Sequence, residues 1–183
     1  MKRLIIFFIT IAPPQIALTL ECKEKQNSYQ VHKCDNQKLC ITNNGKTNIL
    51  DQGISDNDII SCIDVNFDGY QDIIVTHPPS GQTQASSVFI YENKNHNFRK
   101  SEEISNLPCL KIDPIKQLVS GTCFSSSNCD KWIEKYRFRP DGQLQITQIE
   151  GTYCDPTNGN SFSHIETYKN GRILNKQIKK LSE

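Results

Sequence analysis

Short runs of β-prone residues recur along this chain, each closed by a turn signal and with almost no helical periodicity between them, and this pattern confines the fold to sheets. Strands are expected at 29–34, 39–42, 47–50, 59–65, 72–76, 87–92, 132–139, 143–149, 162–168 and 173–178. The expected class is all-β: one domain folded as an antiparallel sandwich or a barrel-like sheet. Within 132–139, Trp132, Glu134, Tyr136 and Phe138 fall on one face and Lys135, Arg137 and Arg139 on the other, the alternation of a half-buried strand.

Two turns are specific. Pro140-Asp141-Gly142 presets a reversal between 132–139 and 143–149, because proline fixes its own φ and glycine accepts a positive one. Asn170-Gly171 is the pair that a two-residue type I′ turn requires between the last two strands. The segment from Glu102 to Gln117 holds Pro108, Pro114 and Cys109, and reads as a tethered loop with room for a short helical turn.

The first residues belong to a different object. Lys2 and Arg3 precede an apolar run from Leu4 to Ala12, and Pro13-Pro14 ends it, which reads as a signal peptide over 1–19 followed by one exported domain over 20–183. A membrane-spanning helix needs about 20 apolar residues, so no membrane span is expected. Cleavage after Thr19 places the small Ala17 at the third position before the cut, and is preferred to cleavage after Ala17, which places Gln15 there. Lipid attachment at Cys22 is the lesser alternative, since Glu21 stands where a small residue is wanted. The expected location is periplasmic or secreted.

Eight cysteines follow the signal: Cys22, Cys34, Cys40, Cys62, Cys109, Cys123, Cys129 and Cys154. An even number in an exported chain implies disulfides. Cys34 with Cys40 and Cys123 with Cys129 share one short spacing across turn-forming residues, and both are expected as local bridges. Cys22, Cys62, Cys109 and Cys154 are then left to pair at long range, each bridge stabilising by about 2–4 kcal/mol, with the connectivity open. Zinc is disfavoured, because the spacings differ from those of fingers and an oxidising compartment removes thiolates.

Charge excludes one class of partner. With Lys2 and Arg3 removed, 19 basic residues face 20 acidic ones, and no basic stripe is interleaved with aromatics, so nothing points to nucleic acid. Arg172, Lys176, Lys179 and Lys180 read as a solvated edge.

The densest chemistry lies in Asp64-Val65-Asn66-Phe67-Asp68-Gly69-Tyr70-Gln71-Asp72. Side-chain oxygens stand at positions one, three, five and nine, with glycine at six, which is calcium-loop spacing. Asp64, Asn66, Asp68 and Asp72 supply side chains and Tyr70 a backbone carbonyl. Val75 at position twelve and the strand-like Ile73-Ile74-Val75 exclude an EF-hand, so the loop joins two strands. The alternative is an acidic β-turn, in which three aspartates would repel one another without a cation. Extracellular calcium modules bind at about 10⁻⁴–10⁻³ M, enough for a structural role outside the cytoplasm.

The Asp64 to Asp72 loop with Phe67, Gly69 and Tyr70, the strand Ile73 to Val75, the loop containing Gly81, the strand Val88 to Glu92, Phe98 and the hairpin from Tyr136 to Ile149 together resemble the calcium-binding immunity proteins that accompany antibacterial type IV secretion effectors. The resemblance covers about half of the chain. It implies a fold similar to periplasmic lysozyme inhibitors, and a partner that is a peptidoglycan hydrolase or lysozyme-like protein, neutralised by a loop inserted into its cleft. The loop expected to do so runs from His77 to Ser86, with His77, Ser80, Gly81, Gln82 and Thr83 as partner-binding residues. Ser80-Gly81 resembles a motif of lysozyme inhibitors, and the loop follows the calcium strand directly.

An enzyme is not expected. His77 and Ser80 make the nearest approach to a catalytic pair, but no nucleophile-elbow motif surrounds Ser80. Glu102 and Glu103 read as solvated carboxylates rather than a glycosidase pair. Three readings follow in order: a hydrolase inhibitor, a calcium-stabilised envelope adhesion or interaction module, and a small secreted hydrolase.

Overall fold

The computed structural model describes residues 19–23, 28–34, 37–122, 129 and 131–181, so that most of the expected signal peptide, and Cys123, lie outside the described residues. Three antiparallel sheets form, each from strands consecutive in sequence. The first holds β1 (Thr19–Lys23), β2 (Ser28–Cys34), β3 (Lys38–Asn43) and β4 (Lys46–Gln52). The second holds β5 (Ile59–Ile63), β6 (Asp72–Thr76), β7 (Ser86–Glu92) and β8 (Asn97–Lys100). A short helix, α1 (Glu102–Ser105), leads to the third: β9 (Lys111–Asp113), β10 (Leu118–Thr122), β11 (Lys131–Phe138), β12 (Leu144–Cys154), β13 (Ser161–Lys169) and β14 (Arg172–Lys180).

The second sheet is the middle layer. Ile73, Val75, Phe89 and Tyr91 point to one side and pack with Tyr29, Val31, Leu39 and Ile41 of the first sheet. Ile74 and Val88 point to the other and pack with Ile104, Leu107 and Val119, against which Tyr136, Phe138 and Leu144 also lie. Burial on both faces explains why Ile73-Ile74-Val75 is continuously apolar, whereas half-covered strands alternate. Each such side chain contributes roughly 1.5–3 kcal/mol on leaving water. Of the two expected architectures, the layered sandwich is the one that forms; every sheet has two ends in its strand order and none closes into a barrel.

All ten expected strands form, with shifted ends. The strand expected over 59–65 stops at Ile63, because Asp64 opens a loop and the Val65 N–H turns to the Asp72 carboxylate. β1, β8, β9 and β10 were not anticipated. The segment 102–117 is not simply a tethered loop: Ser101 caps α1 by accepting the Ile104 N–H, Ile104 is buried, and β9 follows. Asn170 and Gly171 both have positive φ, 52° and 73°, as a type I′ turn demands.

Three disulfides form among the described residues: Cys34–Cys40, Cys22–Cys62 and Cys129–Cys154. The first was expected and the second joins two of the cysteines assigned to long-range bridges. The expected Cys123–Cys129 bridge is corrected, since Cys129 is bonded to Cys154. The reason is register: Lys131 pairs with Thr152, so two residues further along each strand Cys129 falls opposite Cys154. Among the described residues, Cys109 has no disulfide partner.

Candidate functional site

Two loops flank β6, one at each end, and together with Asp72 at the start of β6 they hold every residue singled out for metal or partner binding. The first runs from Asp64 to Gln71. Its side chains turn onto its own backbone: Asp64 accepts the N–H groups of Asp68 (3.1 Å) and Gly69 (2.9 Å). Asn66 Oδ1 accepts the Asp68 N–H at 3.2 Å while its amide donates to Asp68 Oδ2 at 2.9 Å, and Asp68 Oδ1 accepts the Tyr70 N–H at 2.9 Å. These bonds wind the chain around a small polar centre, with Phe67 and Gly69 at φ of 63° and 88°.

The loop is fastened to both cores. Phe67 meets Phe138 edge-on at 6.2 Å, and Tyr70 lies against Tyr91 at 5.5 Å. At its end Asp72 is fully buried, and its two oxygens accept the N–H groups of Val65 (2.8 Å) and Tyr91 (2.9 Å). Burial, augmented by the Asp68 charge, pushes the Asp72 carboxyl up to about 7 against the pull of the Tyr91 and Val65 N–H groups. Asp64, Asn66, Asp68 and Asp72 are thus gathered in one turn. Among the described residues, no three carboxylate, imidazole or thiol side chains stand together as a complete metal cage.

The second loop joins β6 to β7. At its tip Ser80 and Thr83 exchange backbone bonds of 2.8 and 3.2 Å around Gly81 and Gln82, and Gly81 takes a φ of 62°. Residues 78–83 are exposed. The base is held by the His77 N–H to Ala85 O at 3.0 Å, by Gln84 Nε2 to His77 O at 3.2 Å, and by the Cys109 N–H to Gln84 O at 2.8 Å.

His77 stands at this base, apart from the tip residues with which it was grouped. Its Nδ1 lies 3.1 Å from Asp58 Oδ1 and its Nε2 3.2 Å from Ser87 Oγ. A carboxylate only accepts, so in the neutral ring Nδ1 carries the proton and Nε2 accepts from the Ser87 hydroxyl. Burial would raise the Asp58 carboxyl, but the Ser55 N–H, the His77 ring and the Ser55 hydroxyl outweigh it and hold the group below its ordinary range. The ends of β5, β6 and β7 thereby place Asp58, His77 and Ser87 in one line. Ser80, the residue nearest His77 in sequence, is not part of it.

Asp58, Ser87 and Cys109 were not anticipated as parts of this site. No spacing marks them, because they converge from three separate segments. Compared with protein-family models, with curated proteins and with solved structures, the chain gives no match in any of the three.

Proposed function

We propose that this protein acts in the periplasm by binding, and that its partner is a peptidoglycan hydrolase of the lysozyme type whose cleft receives the tip Ser80-Gly81-Gln82-Thr83. The observation that carries the reading is the second loop: its tip closes on two backbone bonds and on the Thr83 hydroxyl, which donates to Ser80 O at 3.0 Å, and stays exposed, while its base is anchored at His77, Gln84 and Cys109. A preformed projection of this kind loses little conformational freedom on entering a cleft. Three disulfides, and the absence among the described residues of any helix long and apolar enough to cross a membrane, accord with an exported protein.

Calcium belongs to the same proposal. Asp64, Asn66, Asp68 and Asp72, with the Tyr70 carbonyl, make an all-oxygen donor set suited to a hard cation, which would neutralise three aspartates and stiffen the entry to β6.

The alignment of Asp58, His77 and Ser87 invites the hydrolase reading, and the surroundings of Ser87 argue against it. Ser87 is buried within β7, and the next N–H, that of Val88, is already donated to Ser105 Oγ at 2.9 Å instead of facing a reaction centre. The line is better suited to fixing the loop than to attacking a substrate.

The test is inhibition of lysozyme-type hydrolases by the oxidised protein, alongside Ser80→Arg and Gly81→Arg. Stoichiometric inhibition lost in both folded variants is the expected result. Inhibition that survives both moves the contact to another surface, and no inhibition of any hydrolase moves the function to envelope interaction.

A further inference from the structure

Charge is distributed unevenly over the third sheet. The chain carries 21 basic and 20 acidic residues in all. Strand alternation and the ladders from β11 to β14 put Lys131, Lys135, Arg137, Lys169, Arg172 and Lys179 on one face, against Glu150 as the acid there. This is the outer face: Tyr136, Phe138 and Leu144, on the opposite side of the same strands, pack toward the middle sheet. Lys135 and Glu150 are paired, which leaves the remainder of the face strongly positive.

The shape of the face narrows its ligand. Four strands of this length make a surface of about 25 by 15 Å with cations distributed across it. The aromatic groups that anchor protein partners or stack on bases lie on the inner side, where Tyr153 is stacked on Phe162 at 5.2 Å and Trp132 is 49% exposed. Between the outer cations stand short polar side chains, Thr152, Ser163 and Thr167, and one exposed aliphatic, Ile165. At the sheet edge, β14 is exposed along its whole length, with Ile173 and Ile178 paired to Tyr168 and His164 on the opposite face. An extended basic face without aromatic anchors, with the exposed Ile165 among its cations, fits an extended array of negative charges with an apolar layer beneath it.

We propose that the outer face of β11–β14 docks on an anionic lipid surface. The attraction comes from several lysines and arginines near a negatively charged leaflet, each adding a modest increment that salt screens. This association is independent of the inhibitor reading, since it involves neither loop flanking β6.

The experiment is co-sedimentation of the oxidised protein with phosphatidylcholine vesicles, with and without phosphatidylglycerol. The variant is Arg137→Gln, Lys169→Gln, Arg172→Gln and Lys179→Gln together, and the control makes the same charge change at Lys38, Lys46, Lys94 and Lys116. Binding is expected only to the anionic vesicles, to fall as salt is raised, to drop by roughly a hundredfold in the outer-face variant and to persist in the control. Circular dichroism and thermal melting establish that both variants are folded. Equal binding to both vesicle types, equal loss in both variants, or no binding at all overturns the proposal. Retention on immobilised polyglutamate without vesicle binding assigns the face to an acidic protein instead, which also overturns it.

Discussion

The two loops at the ends of β6 are held in opposite ways. Before β6, the side chains of Asp64, Asn66 and Asp68 fold inward to serve the backbone N–H groups of their own loop, and Phe67 and Tyr70 bind it to the two cores. After β6, the tip closes through backbone bonds and a single side-chain bond, from the Thr83 hydroxyl to Ser80 O, and stays exposed, with anchoring left to His77 and its neighbours at the base. A loop whose side chains are directed inward can surround an ion but has little to offer a macromolecule. One closed by its backbone has the converse capacity.

The comparison breaks most severely at Asp72. Asp72→Ala leaves the buried N–H groups of Val65 and Tyr91 without acceptors and should lower stability by about 4 kcal/mol in urea denaturation in chelator near pH 5. A loss below about 1 kcal/mol would mean that the first loop is held mainly by its aromatic contacts.

A pH titration is the next largest effect. The folded protein binds the Asp72 proton more tightly than the unfolded chain, since the carboxyl is raised from 3.8 to about 7. In chelator its contribution is therefore full below about pH 4 and is lost as pH rises through about 7, a change on the order of 4 kcal/mol. The difference in stability between the native protein and Asp72→Asn isolates this contribution, and saturating calcium should abolish the loss by stabilising the ionised form. A difference that grows with pH in chelator would refute the assignment.

His77→Ala acts on the other loop. Losing its partners at Asp58 and Ser87 should cost about 1–2 kcal/mol and speed hydrogen exchange around Ala85, while calcium affinity stays within about twofold. A large fall in calcium affinity would show that β6 couples its two ends. The smallest stability effect is expected at the tip, where Ser80→Arg should change the unfolding free energy by no more than about 0.5 kcal/mol, because the exposed side chain has no structural partner to lose.

Much of the layered fold was legible because its signals are local. Asn170-Gly171 closes its hairpin with the backbone those residues favour, and Ile73-Ile74-Val75 marks a strand covered on both sides. The short strands escaped for equally local reasons. β8 is the charged run Asn-Phe-Arg-Lys, β9 has three residues between two prolines, and β10 contains Gly121. The Cys129–Cys154 bond depends on the β11–β12 register, which similar loop spacings cannot reveal.

At the candidate site the same distinction holds. Asp64 to Asp72 is contiguous, so its side-chain pattern is written in one stretch. The line from Asp58 through His77 to Ser87 spans three strand ends, and only their pairing brings it together.

β6 has one further consequence for how this protein can vary. Its apolar residues offer the same hydrocarbon to both cores, so a strand of interchangeable aliphatics has little in its own pattern to oppose a slip along its neighbours. Asp72, bonded on one side to Val65 and on the other to Tyr91, locates the strand along its length. Ile73, Ile74 and Val75 should therefore exchange with other branched aliphatics over long divergence. Asp72 should not, and a chain that lost it would first lose the alignment of the two loops and only afterwards the sheet.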